Sequence, residues 1–193
     1  PEDKKNTMKG ALAEAALLTG IEKNARKVRL ASYAPLFNRI GHSQWTPDMI
    51  WFNDEEIIYT ASYYIQKLFG EYRGRETVPM DGQEAALREK GCYISASRTE
   101  DHTILKIVNR SAEDQPLALK KADGSPVCGK VRIISLEGDG PGSGHLPQPV
   151  KLTEKEEQID GELLLNAETF YVICLNVNAG NSQMLSGFPE RSR

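Results

Sequence analysis

Apolar positions near the start of the chain repeat at helical spacing. From Gly10 to Asn24, residues Leu12, Ala15, Ala16, Leu18 and Thr19 share one broad face, while Glu14, Glu22 and Lys23 lie elsewhere. That pattern predicts an amphipathic helix, with Asn24 as its stop. Val28, Leu30, Ala31, Tyr33, Ala34, Leu36 and Phe37 then make Val28 to Phe37 nearly all apolar after Arg29. A run of this kind predicts a strand buried on both faces. A loop containing Gly41, His42, Ser43, Gln44, Trp45 and Pro47 follows. Helix, buried strand and loop is the rhythm of an α/β barrel or a doubly wound sheet, and about one repeat of it is present.

The pattern changes near residue 74. Short strand-like runs follow, from Cys92 to Ser97, Thr103 to Asn109, Pro116 to Lys121, Lys130 to Leu136, Glu162 to Leu165 and Thr169 to Asn176. Turn formers separate them, at Glu100 to His102, Asn109 to Asp114, Asp123 to Ser125 and Gly138 to Gly144. Evenly punctuated short strands predict an antiparallel sandwich. Ile104, Lys106 and Val108 alternate with Leu105, Ile107 and Asn109, so neither face is wholly polar and the strand reads as central. The stretch GDGPGSGHLPQP lacks the Gly-Lys-Ser/Thr ending of a phosphate cradle and reads as a connection crossing between sheets.

Four blocks carry a family likeness: ALAEAALLTGIEKN, VRLASYAPLF, WTPDMIWF and SYYIQKLF, in that order over residues 10 to 69. They resemble glycoside hydrolase family 51, the α-L-arabinofuranosidases. A weaker likeness continues through YISASRTEDHTILKIVNRS and LLLNAETFYVICLNV. The resemblance implies a (β/α)8 barrel followed by a β-sandwich, and retaining hydrolysis through two glutamates at the ends of barrel strands four and seven. Both glutamates would lie upstream, outside this chain. Residues 1–24 would be the seventh barrel helix, 27–38 the eighth strand with its loop, and 60–72 the eighth helix. The fold expected is therefore mainly β: a jelly-roll type sandwich over 75–178, the last helix-strand-helix elements of a barrel over 1–74, and a loose tail over 179–193.

Charge adds little. With 24 basic and 27 acidic residues, the net charge of −3 makes no case for nucleic acid or an anionic membrane. No apolar run approaches the roughly 20 residues of a membrane span, and PEDKK is no signal peptide. The expectation is a soluble protein whose compartment, secreted or cytoplasmic, the sequence leaves open. Cys92, Cys128 and Cys174 are odd in number and widely spaced in strand-like runs, which reads as buried thiols rather than a disulfide framework. His42, His102 and His145 are equally scattered, so neither a metal nor a cofactor is expected.

On the barrel reading, the loop after the predicted strand lies on the catalytic face. Trp45 is then placed to stack on a sugar, and Tyr33, Asn38 and Gln44 offer hydroxyl or amide groups to sugar hydroxyls. Against this, Trp45 and Trp51 would equally serve to pack the loop, and Tyr33 to pack between helices. Members of the resembled family carry a glutamine where this chain has Pro35, which has no side-chain donor or acceptor; Asn38 is the candidate substitute. Glu55-Glu56, Glu100-Asp101 and Glu154 to Glu157 read as solvated charge. Glycosidic chemistry needs two carboxyls facing each other, about 5 Å apart for retention or about 6.5 to 9.5 Å for inversion, and strand neighbours point to opposite faces.

These readings make the chain the C-terminal part of an α-L-arabinofuranosidase. It would be inactive alone, meeting an arabinose-containing glycan only through the complete enzyme, with the upstream barrel as its partner. The alternative is a non-catalytic carbohydrate-binding or interaction sandwich, although Tyr93, Phe170 and Tyr171 lie within predicted strands and offer no exposed platform. Uncovered apolar surface on the helix and strand predicts a homo-oligomer, or packing of residues 1–72 back onto the sandwich.

Overall fold

The computed structural model describes residues 6–81, 84–176 and 185–187. In chain order the elements are α1 (Met8–Lys23), β1 (Phe37–Arg39), β2 (Ile50–Phe52), β3 (Ile57–Tyr59), α2 (Ala61–Glu71), β4 (Glu76–Thr77), β5 (Met80–Asp81) and α3 (Glu84–Glu89). These are followed by β6 (Cys92–Arg98), β7 (His102–Asn109), β8 (Gln115–Lys121), β9 (Cys128–Gly138), β10 (Val150–Asp160), β11 (Glu162–Leu165), β12 (Thr169–Asn176) and β13 (Leu185–Gly187).

One sheet organises the molecule. Its strand order is β10-β9-β12-β7-β6-β4, antiparallel throughout, and β7 is central as its two apolar faces predict. Alternation sorts its side chains into two cores. Ile94, Ala96, Leu105, Ile107, Val131, Ile133, Tyr171 and Ile173 face a second sheet of order β11-β8-β13-β5, meeting Leu117, Leu119 and Leu165 there. Ile104, Val108, Ile134, Leu136, Phe170, Val172 and Cys174 face the opposite way, onto Met8, Ala11, Leu12, Ala15 and Leu18 of α1 and Ala61, Ile65 and Leu68 of α2. The result is three layers: helices, six-stranded sheet, four-stranded sheet. Each fully buried Leu or Ile is worth about 1.5–3 kcal/mol, so both interfaces contribute substantially.

The helix ends follow local chemistry. The Thr7 side chain accepts from Gly10 N at 3.1 Å and Thr60 from Tyr63 N at 3.3 Å, each satisfying a free amide of the first turn. Asn24 caps α1 at its C-terminus and donates its amide to Gly20 O at 2.8 Å. The helix expected from Gly10 begins two residues earlier, and Ala16 is only half-buried on its apolar face. Both helices pack on the sandwich, which was one of the fates predicted for that apolar face.

Four expectations fail. The strand predicted over Val28 to Phe37 is absent; only Phe37–Arg39 is strand, and Leu30, Leu36 and Phe37 are 87%, 46% and 64% exposed. An apolar run becomes a strand only beside another strand, and here the single neighbour, β2, meets it at three residues. The glycine-rich stretch does not cross between sheets. It closes a long hairpin, since β9 and β10 pair with each other in one sheet. Cys92 and Cys174 are buried, with the Cys92 thiol pushed up to about 11 by burial, but Cys128 is exposed with its Sγ 2.9 Å from Asp160 Oδ1. Within the segment expected to be loose, Leu185–Gly187 pairs with β8 and β5 as β13; the rest of 179–193 lies outside the described residues.

The sequence pattern does not predict β10, because LTEKEEQID offers almost no apolar positions. It is an edge strand carrying a charge ladder: Arg132 meets Glu154 at 2.6 Å, Lys151 meets Glu137 at 3.5 Å, and Lys130 pairs with Glu156. Charges of this kind guard an open sheet edge. Where β10 turns into β11, Gly161 takes φ +75, and a Cβ there would lie 2.6 Å from Pro126 Cβ. Both facts demand glycine.

Candidate functional site

The four sequence blocks meet in a polar seam between α1, α2 and the small sheet β1-β2-β3. Parallel pairing sets Asn38 opposite Trp51. The Trp51 ring is buried, and its Nε1 donates to Asn6 Oδ1 at 2.9 Å and to Asp48 O at 3.3 Å. Asn6 Oδ1 also accepts from Asp48 N at 3.2 Å. From the sandwich side, Gln148 accepts from Met8 N at 2.8 Å through Oε1, and its backbone N–H donates to Asn6 O at 2.9 Å. Thr60 hydroxyl donates to Met49 O at 2.8 Å, tying the start of α2 to the segment leading into β2.

Deeper in the seam, Gln66 Nε2 donates to a Glu14 oxygen at 2.5 Å, and Ser62 also hydrogen-bonds Glu14. Ser62 and Gln66 stand four residues apart on α2, which places both on the face turned to α1. The Tyr33 hydroxyl hydrogen-bonds Ser62 and Asn6 in the same seam. Burial raises Glu14, Tyr33 and Asp48 above their ordinary pKa ranges, and the nearby charges of Glu14 and Asp48 push Tyr33 further in that direction. Two of the three buried polar atoms without a protein partner among the described residues belong to this region, Asp48 Oδ2 and Asn38 Nδ2; the third is Ser97 Oγ of β6. Glu14 is half-buried and held by Gln66 and Ser62, and Asp48 is buried, so both carboxyls are tied into the packing between the helices and the small sheet.

The residues singled out in the sequence take different places. Tyr33 is half-buried with its hydroxyl turned into the seam, and Asn38 is buried. Trp45 stands 74% exposed in the loop between β1 and β2, and Gln44 beside it is exposed. Trp51 is a packing residue. Arg39 lies at the loop's start and is held by Asp54, with Nη2 2.9 and 2.8 Å from the two carboxylate oxygens. Among the exposed large apolar side chains, Val28, Leu30, Leu36, Phe37, Ile57 and Tyr59 fall, with Trp45, between residues 28 and 59.

Sequence reasoning missed Asn6, Asp48, Ser62 and Gln66. A signal existed for two of them: Ser62 and Gln66 are polar at a helical repeat beside apolar Ile65 and Leu68. For Asn6 and Asp48 none did, because their roles depend on a contact 42 residues apart. Among the described residues no group of three or more His, Cys, Asp or Glu is arranged to hold a metal, and no helix is long and apolar enough to cross a membrane.

Comparison with known proteins agrees with these blocks. Residues 1–183 match the family model of the alpha-L-arabinofuranosidase C-terminal domain. A probable alpha-L-arabinofuranosidase A of Aspergillus flavus is 36% identical over 114 residues, 58% of this chain and 18% of that protein. The extracellular exo-alpha-L-arabinofuranosidase of Streptomyces chartreusis is 47% identical over 74 residues, 38% of this chain and 9% of that protein. This chain thus spans under a fifth of the length of these relatives. Among solved structures, arabinose-bound MgGH51 α-L-arabinofuranosidase superposes with a TM-score of 0.76 at 23% identity, over 90% of this chain and 28% of that one. The Thermotoga maritima enzyme in its arabinose complex gives 0.64 at 16% identity, over 88% and 38%. These likenesses establish the shared fold, and the family match over 1–183 decides membership. The chain belongs to the alpha-L-arabinofuranosidase C-terminal domain family.

Proposed function

We propose that this chain is the C-terminal part of an enzyme that hydrolyses terminal α-L-arabinofuranosyl groups from arabinose-containing polysaccharides. In that enzyme residues 1–74 supply the last elements of the catalytic barrel, 75–178 form the sandwich that braces it, and 179–193 form a tail. The catalytic glutamates belong to the upstream barrel, and the chain alone is inactive.

The observation that carries this reading is the bare apolar segment. Leu30, Leu36 and Phe37 are left in water, while elsewhere exposed large apolar side chains such as Leu17, Leu152 and Leu164 stand singly along the chain. Contiguous exposed apolar surface marks a contact site, and a run suited to a doubly buried strand is suited to barrel neighbours on either side. The loop from Asn38 to Trp45 then forms one wall of the sugar pocket. Trp45 supplies an apolar face for the sugar, Asn38 brings an amide nitrogen without a protein partner, and Tyr33 fixes the wall from behind. Without the barrel, the same bare segment drives self-association of the isolated chain.

The test is turnover of an aryl α-L-arabinofuranoside by the 193-residue chain alone and by the chain joined to its upstream barrel. Turnover only in the joined protein supports the proposal. Turnover by the chain alone, or none by either, defeats it, and affinity of the isolated chain for arabinan without any turnover would favour a carbohydrate-binding module instead.

A further inference from the structure

Lys106 stands at the middle of β7, with its side chain fully buried on the sheet face turned to the helices. Its ammonium pairs with Glu22 of α1 and lies 5.0 Å from the centre of the Phe69 ring of α2. Phe69 in turn stacks on Phe170 of β12, with ring centres 5.6 Å apart at 15°. The second oxygen of Glu22 accepts from Ser95 Oγ of β6 at 2.5 Å. Lys23, the next residue, reaches Glu84 of α3 at 2.6 Å. A single buried charge thus gathers both long helices and the centre of the sheet at the point where α1 ends and the chain sets out toward residues 28–45.

Stability does not explain such a pair. Desolvating two charges cancels most of their attraction, and replacing a whole buried pair by apolar groups is often neutral or stabilising. Direction is what it supplies. An apolar helix face slides along an apolar sheet at little cost, because many packings bury similar area. A buried ammonium that slides loses its one carboxylate and is left charged in apolar surroundings, which is prohibitive.

We propose that Lys106 is a positioning residue: through Glu22 it fixes the end of α1 at one register on the sandwich, and so sets where the 28–45 wall stands against the sugar. This rests on the function proposed above. It makes the sandwich part of the apparatus that sets turnover, since a wall displaced by about 1 Å costs up to about a hundredfold in rate.

The experiment uses the complete enzyme, this chain with its upstream barrel, carrying Glu22→Gln, which keeps an acceptor for Ser95 Oγ, together with Lys106→Met. Lys106→Met alone strands the Glu22 carboxylate and loses stability for an unrelated reason, whereas the double variant removes both charges and keeps the melting temperature. Its kcat/KM on an aryl α-L-arabinofuranoside is expected to fall about tenfold, mostly through KM. Full kcat/KM in a double variant of unchanged melting temperature overturns the proposal, because the pair would then be structural only. A second readout needs no catalysis. In the 193-residue chain the amides of Val28, Ile40 and Ile50, bonded to Asn24 O, Phe52 O and Leu36 O, should exchange faster in the double variant while Leu105 and Val172 keep their protection. Unchanged exchange at those three amides also overturns it. An unmutated complete enzyme without turnover would sink the proposed function instead, and the exchange comparison would still decide on Lys106.

Discussion

The sandwich and the segment from Val28 to Tyr59 treat apolar residues in opposite ways. In the six-stranded sheet, both faces of β7 and β12 are buried, one under helices and one under a second sheet. Most polar residues placed there are answered, Ser97 Oγ of β6 being the exception among the described residues: Asn109 donates to Glu113 O, Leu165 O and Asn166 O at 2.9 to 3.1 Å and accepts from Ser111. In the other region, Leu30 and Phe37 stand in water, and Asp48 and Asn38 keep buried polar atoms without partners. The first is a finished domain. The second satisfies its own helices through the polar seam yet leaves apolar side chains facing outward, as an interface does when seen without what covers it.

Truncation should expose this contrast most sharply inside the sandwich. Phe170→Ala removes a fully buried ring that meets both Phe69 and the helix-facing core, and should cost about 3–5 kcal/mol in denaturant unfolding. Asn109→Ala unties the turn after β7 from the loop after β11, leaving buried carbonyls unpaired, and should cost about 2–3 kcal/mol by the same measurement. Gly161→Ala forces a left-handed backbone onto alanine and a Cβ onto Pro126, and a loss of about 1–3 kcal/mol should appear as a lowered melting temperature.

In the seam the sign is reversed. Burial raises the folded-state pKa of Asp48 above its unfolded value, so between the two values the folded chain holds more protons. The Asp48 contribution therefore improves as pH falls from neutral toward the unfolded carboxylate value near 3.9 and is unfavourable above the folded value. Asp48→Asn should raise the melting temperature at pH 7 and flatten that part of the pH profile. Smallest of all, Leu30→Ser should move stability by less than about 0.5 kcal/mol, because the side chain is 87% exposed, while reducing self-association in sedimentation velocity. A large loss of stability in Leu30→Ser would mean that the segment is core, and the comparison between the two regions would collapse.

Legibility of the sequence follows the same division. β11 and β12 are readable to the residue, and β7 is readable as central, because both of its faces carry apolar positions and burial decides the pattern. α1 is readable from helical periodicity and the Asn24 cap, whereas α2 was expected only through the family resemblance, which implies a helix over 60–72. β10 was hidden by its own charges, which solve the edge problem and erase the apolar alternation. The strand expected over Val28 to Phe37 had the right composition, but strand formation depends on neighbours, and the chain supplies one short partner. Tyr33, Asn38 and Trp45 were singled out as candidates from the predicted strand and its loop, but their arrangement was not legible: Tyr33 turns inward onto Ser62, and the anchors Asn6 and Asp48 come from distant positions. Lys106 was in plain view as the only charge inside the apolar run ILKIVN, although its partner Glu22 lies 84 positions away.

The central claim is that the bare segment is the surface on which the catalytic barrel closes. Hydroxyl-radical footprinting of the 193-residue chain, beside the same chain joined to its upstream barrel, tests it directly. Val28, Leu30, Leu36 and Phe37 should become protected in the joined protein while Leu152 and Leu164 on the sandwich stay as reactive as before, and Trp45 should gain protection only when arabinose is added. Equal reactivity of the four segment residues in both proteins would contradict the account.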